Sequence, residues 1–331
     1  MALAEASEAK NIVVLVGGVG GAKLAHGLAQ LLPPGRLTVI VNTGDDFWHY
    51  GLRICPDLDT VTYTLSGLVN KTNGWGVVGD TFNALNAMKR YGEDPWFGIG
   101  DQDIATHLLR TQALANGDSL TAVTQKLTKA LGINQTILPM TDAPVATKVA
   151  TVEQGELDFQ VYFVRHRWQP TVTAIRFDGA EAAAVSAQAQ QAIANADLIL
   201  FGPSNPWLSI APILSVPGMR DLLVARDVPR VALSPIVHGE AIKGPAAKLM
   251  AELNYPVTAS AVADYYRGVI NGFVYDERDS ELKIDGLRTT TFDTIMRSDE
   301  DRVVLARKIL QWIEGWGGSH EYLGDHSGQT A

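Results

Sequence analysis

"NIVVLVGGVGGAKLAHGLAQLLPPGRLTVIVN", residues 11–42, reads as strand, glycine turn, helix and second strand. Asn11 to Val16 is a short β-branched apolar run, the pattern of a central parallel strand covered on both faces. It ends in "GGVGG". Ala22 to Leu32 then carries apolar residues at helical spacing, and Leu37 to Val41 repeats the character of the first strand. These pieces within about 30 residues form a βαβ unit, so the chain is expected to be α/β with a parallel sheet.

Working outward, helical patterns follow at Asp80–Tyr91, Asp101–Ala115 and Ser119–Leu131. From Ile137 to Ile175 the pattern changes to short alternating strands, "TKVATVE", "LDFQVYFV" and "TVTAI", linked by glycine and charged turns. Parallel α/β character returns with helix Ala182–Asn195, strand Leu198–Phe201, helix Gly218–Ala225, strand Val231–Ser234, helix Pro245–Leu253 and an amphipathic tail helix, Glu300–Trp316. The expected architecture is one doubly wound domain over 11–330, with a smaller antiparallel α+β insertion at 134–178 and a disordered tail at 1–10.

Composition removes several function classes. A chain of 331 residues with 46% hydrophobic content can bury one large α/β core. A net charge of −9 speaks against a nucleic-acid surface, which needs a basic stripe. The one cysteine, Cys55, rules out an internal disulfide and fits a reducing compartment. No run of about 18 apolar residues occurs, so no membrane span is expected, and "MALAEASEAK" lacks the apolar core of a secretory signal. A cytoplasmic protein is the expectation.

In an open parallel sheet, ligands bind beyond the carboxyl ends of the strands, near the point where strand order reverses. Three strands end in small-residue loops there: "GGVGG" (Gly17, Gly18, Gly20 and Gly21, followed by Lys23), "GPSNP" (Gly202, Ser204, Asn205) and "SPIVHG", opening on Ser234. Glycine lets backbone approach a ligand, and the following helix offers unpaired N–H groups to an anion. A fourth strand end, "VNTGDDFWHYGLRICPDLDT", gathers Asp45, Asp46, Asp57 and Asp59. Helix capping, magnesium ligation and proton acceptance from a substrate are all open to these acids. A helix starting near Thr60 would use one as a cap and leave a surplus. The dinucleotide fingerprint is broken, because no glycine stands three places after Gly20 and the second strand ends in Asn42 rather than an acid. Nor is this a Walker loop, since Ala22 and Leu24 flank Lys23. A phosphate-bearing ligand is expected, but neither NAD nor a P-loop ATPase.

The segments "LVGGVGGAKL", "VNTGDDFWHYGLRICPDLDT", "WFGIGDQDIATHLLRT", "LPMTDAPVAT", "FGPSNP" and "SVPGMRDLL" stand in the order seen in the 2-phospho-L-lactate transferase family of coenzyme F-420 biosynthesis. The resemblance runs from about Asn11 to the C-terminal helix. It implies a Rossmann-like, magnesium-dependent homodimer. The implied reaction moves a phospho-acid (2-phospho-L-lactate, phosphoenolpyruvate or phosphoglycerate) from its GDP-activated form to the ribityl hydroxyl of 7,8-didemethyl-8-hydroxy-5-deazariboflavin, with GMP leaving. The family's deazaflavin-binding aspartate corresponds to Asp59. Archaeal members carry a basic flavin contact where this chain has Gly98, as actinobacterial-type members do.

On this resemblance Asp59 orients the attacking hydroxyl or draws off its proton, while Asp57, with Asp59 and Asp45, is a metal-ligand candidate. Arg110, about one turn from His107, is a candidate for the phosphates or the acid carboxylate, or else a surface ion pair. Trp75 in "NGWG" is either a stacking surface for the deazaflavin or a core residue. Asp101 or Asp103 would cap the helix that follows. A rival class is a non-catalytic protein of the same fold that binds a nucleotide sugar. It would have no use for "PDLDT" and "GDQD", both intact here.

Overall fold

The computed structural model describes residues 10–242 and 244–318. The tail expected over 1–10 therefore falls, but for Lys10, outside the described residues, as does 319–330.

β1 (Ile12–Val16) is the middle of the molecule. Its side chains alternate: Val13 and Leu15 enter one apolar cluster, while Ile12, Val14 and Val16 enter another on the opposite face of the sheet. All five are at most 1% exposed, so the β-branched run is explained by burial on both faces. Each such side chain is worth about 1.5–3 kcal/mol relative to exposure. β1 leads through α1 (Val19–Ala29) to β2 (Leu37–Val41), which pairs with it in parallel, as the βαβ reading requires.

The acid-rich segment forms a small hairpin, β3 (Phe47–His49) with β4 (Leu52–Ile54), and then α2 (Pro56–Leu65). α3 (Asn83–Arg90), α4 (Asp103–Ala115) and α5 (Leu120–Ala130) precede β5 (Thr136–Pro139). β5 pairs in parallel with β2 and is an edge strand of the main sheet, so the insertion starts after it rather than at 134. The insertion is a three-stranded antiparallel sheet of β6 (Ala146–Thr151), β7 (Gly155–Asp158) and β8 (Val172–Asp178). The expected strand through "VYFV" is instead a short π-helical turn over Val161–Arg165, which buries Tyr162.

The second half runs α6 (Ala187–Ala194), β9 (Leu198–Phe201), α7 (Ala211–Ser215), α8 (Met219–Val224) and β10 (Arg230–Leu233). A two-residue pair, β11 (Ile236–Val237) and β12 (Glu240–Ala241), is followed by α9 (Ala246–Glu252) and α10 (Ala259–Tyr265). Two strands that the sequence reading left unassigned, β13 (Gly272–Asp276) and β14 (Arg288–Phe292), complete the sheet before α11 (Asp299–Glu314). The order is β14-β13-β10-β9-β1-β2-β5, every pair parallel. Order reverses between β1 and β9, where the first two glycine loops lie.

α1 packs against α11 with no spacer at Gly27, where an added Cβ would collide with the Arg302 carbonyl oxygen. Both atoms belong to helix backbone, so neither yields cheaply. Gly27→Ala is expected to destabilise the fold by about 1–3 kcal/mol despite the better helix propensity of alanine. An unchanged midpoint in urea unfolding would contradict this packing.

Candidate functional site

β1 and β9 are register neighbours, so their loops leave the sheet at one level and cross. A Cβ on Gly20 would collide with the Pro203 carbonyl oxygen, and one on Gly21 would collide with Val16 and stand 2.9 Å from Ser204 Oγ. Ser204 Oγ accepts from the Gly17 N–H at 3.0 Å, and Gly202 N–H donates to the Leu15 carbonyl. Asn205 accepts from the Trp207 and Leu208 N–H groups, leaving its buried Nδ2 without a partner. α1 begins at Gly18 with no side-chain cap, so its first-turn N–H groups face the crossing.

Not every expected residue turns to this point. Lys23 Nζ donates to the Met296 carbonyl at 2.8 Å. Ser234 is buried, with its hydroxyl folded into its own turn against Ile236. Trp75 is 45% exposed, which overturns its reading as a core residue. Gly98 lies beside Phe82.

The acids are sorted by α2. This helix starts at Pro56, not near Thr60, and Cys55 holds the cap position without a side-chain bond, so neither Asp57 nor Asp59 is a cap. Two residues apart on a helix, they are separated by about 200° and face different surroundings. Asp57 faces the first glycine loop: Cβ atoms on Gly17 and Gly18 would stand 3.0 and 2.6 Å from its carboxylate oxygens. Asn42, noted for not being an acid, donates Nδ2 to Asp57 at 2.9 Å and accepts from the Gly44 N–H at 2.8 Å.

Asp45 and Asp46 are buried, and each leaves one oxygen unpartnered. Burial lifts the Asp45 carboxyl well above the carboxylate range, with repulsion from Asp57 adding to it. Burial raises Asp57 to about 7, against the Asn42 hydrogen bond. Burial likewise raises Asp46 to about 6, held down by Arg53, whose guanidinium lies 3.4 Å away. Burial pushes the Cys55 thiol up as well, which removes it as a nucleophile. A buried, unpartnered Asp45 oxygen and the half-buried Asp57 carboxylate are hard ligands of the kind that could hold a magnesium ion.

Asp59 turns the other way and is paired with Arg110, which is 3% exposed; the guanidinium holds both carboxylate oxygens. Arg110 is thus a buried partner of Asp59 and not a surface ion pair. Asp59, Asp103 and His107 offer ligand atoms within 4.8 Å of one another. Arg110 already supplies positive charge there, which makes this a poorer cation site than Asp45 and Asp57.

Asp101 does not cap α4. It accepts from the Asn83 and Ala84 N–H groups at 2.9 Å and so caps α3, while Asp80 accepts from Gln102 and Asp103 and caps α4. The "GDQD" motif is thereby a clasp between two helix starts. Sequence reasoning missed Arg53 and Tyr63, took Asp103 only as a possible cap, and gave Asn42 no role. Only the His107/Arg110 spacing carried a signal.

The fold and the loop crossing define a parallel α/β protein with two glycine loops and an uncapped helix start at its sheet edge. The family model of 2-phospho-L-lactate transferase CofD matches residues 12–309, and the chain belongs to that family of enzymes. A phosphoenolpyruvate transferase of Streptomyces griseus is 42% identical over 313 residues, covering 92% of this chain and 98% of that one. A 2-phospho-L-lactate transferase of Methanosarcina mazei is 40% identical over 304 residues, covering 91% and 99%. The crystal structure of a UPF0052-family protein, BH3568 of Bacillus halodurans, superposes with a TM-score of 0.61 at 14% identity, covering 92% of this chain and 98% of that one. That likeness concerns the fold alone. Among the described residues no helix is long and apolar enough to cross a membrane.

The raised carboxyls have a consequence for stability. Between the ordinary carboxylate range and about pH 7, the metal-free folded state holds more protons on Asp45, Asp46 and Asp57 than the unfolded chain does. Unfolding free energy therefore falls as pH rises through this window. In chelator-treated protein the melting temperature should drop between about pH 5 and about pH 8. Asp57→Asn should flatten that slope and stabilise the metal-free chain at the upper end by about 1 kcal/mol or more. A native-like slope in the variant would remove Asp57 from the carboxyls that hold protons in the folded state.

Proposed function

We propose that this chain transfers a phospho-acid, 2-phospho-L-lactate or a close analogue such as phosphoenolpyruvate, from its GDP-activated form to the ribityl hydroxyl of the deazaflavin. The observation that carries the reading is the Asp57 carboxylate against Gly17 and Gly18, at the crossing of the two loops on the switch point. The phosphates of the donor lie over the start of α1, where backbone N–H groups and Ser204 line the loops. Asp57 and Asp45 are the residues that would hold magnesium, which neutralises charge on phosphate oxygens when bound. Asn42 keeps Asp57 turned to the loop.

Asp59 meets the attacking hydroxyl from the other side of α2. The hydroxyl oxygen bonds to the phosphorus bearing the acid, the anhydride bond to GMP breaks, and the hydroxyl proton passes toward Asp59. A cavity of about 260 Å³, lined by Asp59 and Arg110 with Leu58, Leu68, Val77 and Leu109, offers an apolar berth for the acceptor ring. The homodimer and cytoplasmic location implied by the resemblance belong to the same proposal.

Incubation with the deazaflavin and the GDP-linked lactate, enolpyruvate and glycerate donors, read by mass, tests the reaction directly. One donor should yield phosphodiester and GMP. Tight nucleotide binding with no product from any donor would favour the non-catalytic reading. Under single turnover, Asp59→Asn should slow the chemical step by about 10²–10⁴-fold while sparing GDP binding. A native rate there would return Asp59 to a purely structural place.

The loop itself needs a gentler probe than Gly20, where any Cβ strikes Pro203 backbone and the fold would suffer. At Gly18 the only obstruction within 3 Å is the Asp57 carboxylate, a side-chain end that can turn away. Gly18→Ala should raise the magnesium concentration needed for half-maximal turnover, at a cost in stability of about 1–3 kcal/mol because Gly18 sits at ψ −117°, which alanine rarely adopts. A variant with native magnesium dependence would separate Asp57 from the metal.

A further inference from the structure

We propose that His107 is a positioning residue: it seats the Arg110 guanidinium on Asp59 and so fixes the carboxylate that receives the acceptor hydroxyl. This rests on the reading of Asp59 given above. A guanidinium presents five N–H donors in a rigid plane, so its aim is set by whatever meets its edges. Here two edges are used for Asp59. Nη1 also reaches the Arg53 carbonyl at 3.3 Å and His107 Nδ1 at 3.3 Å. Because Arg110 can only donate, Nδ1 accepts, which leaves the ring proton on Nε2. Nε2 stands 3.1 Å from Asp103 Oδ2, at an angle too poor for a full hydrogen bond. Asp103 in turn accepts from the Tyr63 hydroxyl at 2.5 Å.

The polar groups form a ring between two helices. Asp59 and Tyr63 lie one turn apart on α2, and Asp103, His107 and Arg110 follow one face of α4. His107 is 1% exposed, so its ring and not bulk water meets the Arg110 edge. Simple adhesion between α2 and α4 would need no opening, yet Asp59, Tyr63 and Arg110 all line the 260 Å³ cavity. The ring is therefore a support for the one carboxylate that a ligand in that cavity reaches.

Two substitutions of similar polarity separate positioning from space filling. In His107→Asn the side-chain carbonyl stands where Nδ1 was, and it still accepts from Arg110. In His107→Gln the amide reaches the Nε2 end and leaves the Nδ1 place empty. Small misplacement of a reacting group can cost about 10²-fold, so His107→Gln and His107→Leu should lower kcat by about 10–10²-fold, with KM for the GDP-linked donor unchanged. His107→Asn should recover at least tenfold of that loss. Filling the site alone predicts the reverse, because glutamine is nearer histidine in size.

In the Asp59→Asn background, His107→Gln should cost little more, since the two residues act as one unit. Native kcat in His107→Gln, a better enzyme with Gln than with Asn, or effects that multiply in the double variant would each overturn the inference. Should Asp59→Asn alone keep native kcat, the reading of Asp59 fails. Should Asp59→Asn be slow while His107→Gln is fast, only the role of His107 fails.

Discussion

Everything at the site depends on two chain segments touching backbone to backbone. β1 and β9 are adjacent parallel strands, so "GGVGG" and "GPSNP" must cross as they leave the sheet. The crossing has no room for a side chain: Gly20 lies on the Pro203 carbonyl and Gly21 on Val16. Ser204 closes the gap by accepting from Gly17. A larger residue at any of these points would lift one loop off the other and move the start of α1. The same absence of Cβ atoms at Gly17 and Gly18 lets the Asp57 carboxylate come within reach of the loop. Close approach is what these glycines supply, and Gly18 adds a backbone angle, ψ −117°, that residues with a side chain rarely adopt.

The cost of that closeness is electrostatic. Asp45, Asp46 and Asp57 sit together at the end of β2 with few partners, and burial raises the pKa of each. Buried like charges are tolerated where a ligand neutralises them, and strongly shifted groups concentrate at such places. Asp59 escapes this crowd because the helix turns it away. Its charge is balanced by the Arg110 guanidinium, whereas Asp57 receives only the neutral Asn42 amide. Two acids in one tripeptide thus have opposite surroundings, one paired with a cation and one with a neutral amide.

How much of this could be read beforehand varies with how local the cause is. The βαβ unit, β9 and the antiparallel character of β6 and β8 follow from apolar periodicity within a few residues, and they stand where expected. β13 and β14 did not reveal themselves. β13 opens on Gly272, whose empty side holds Trp316 from the far end of the chain, and β14 is the polar edge strand "RTTTF". The start of α2 was misread although Pro56 stands at its first turn, a placement that favours helix starts. The hairpin before it turns on Tyr50 and Gly51, both at positive φ, and tyrosine gives no hint of such a turn. At the site, the glycine loops were legible because spacing alone carries them. The Arg110–Asp59 pair was not, since the two lie 51 residues apart and only the packing of α2 on α4 brings them together.

Asn42 explains why the dinucleotide fingerprint is broken without the sheet edge losing its use. In the dinucleotide folds the residue ending the second strand is an acid that takes a ribose. Here that position carries an amide that cannot repel its neighbour: Asn42 Nδ2 holds Asp57, and its oxygen holds the Gly44 N–H. An acid in its place would add a further buried negative charge to Asp45, Asp46 and Asp57. The turn after β2 is thus rebuilt around carboxylates instead of a sugar, and "GGVGG" lacks the last glycine of the fingerprint because Gly21 itself makes the tight contacts with Val16 and Ser204. What looked in sequence like a degraded nucleotide motif is a different arrangement at the same edge, with the uncapped start of α1 kept and the ribose position given over to holding an acid.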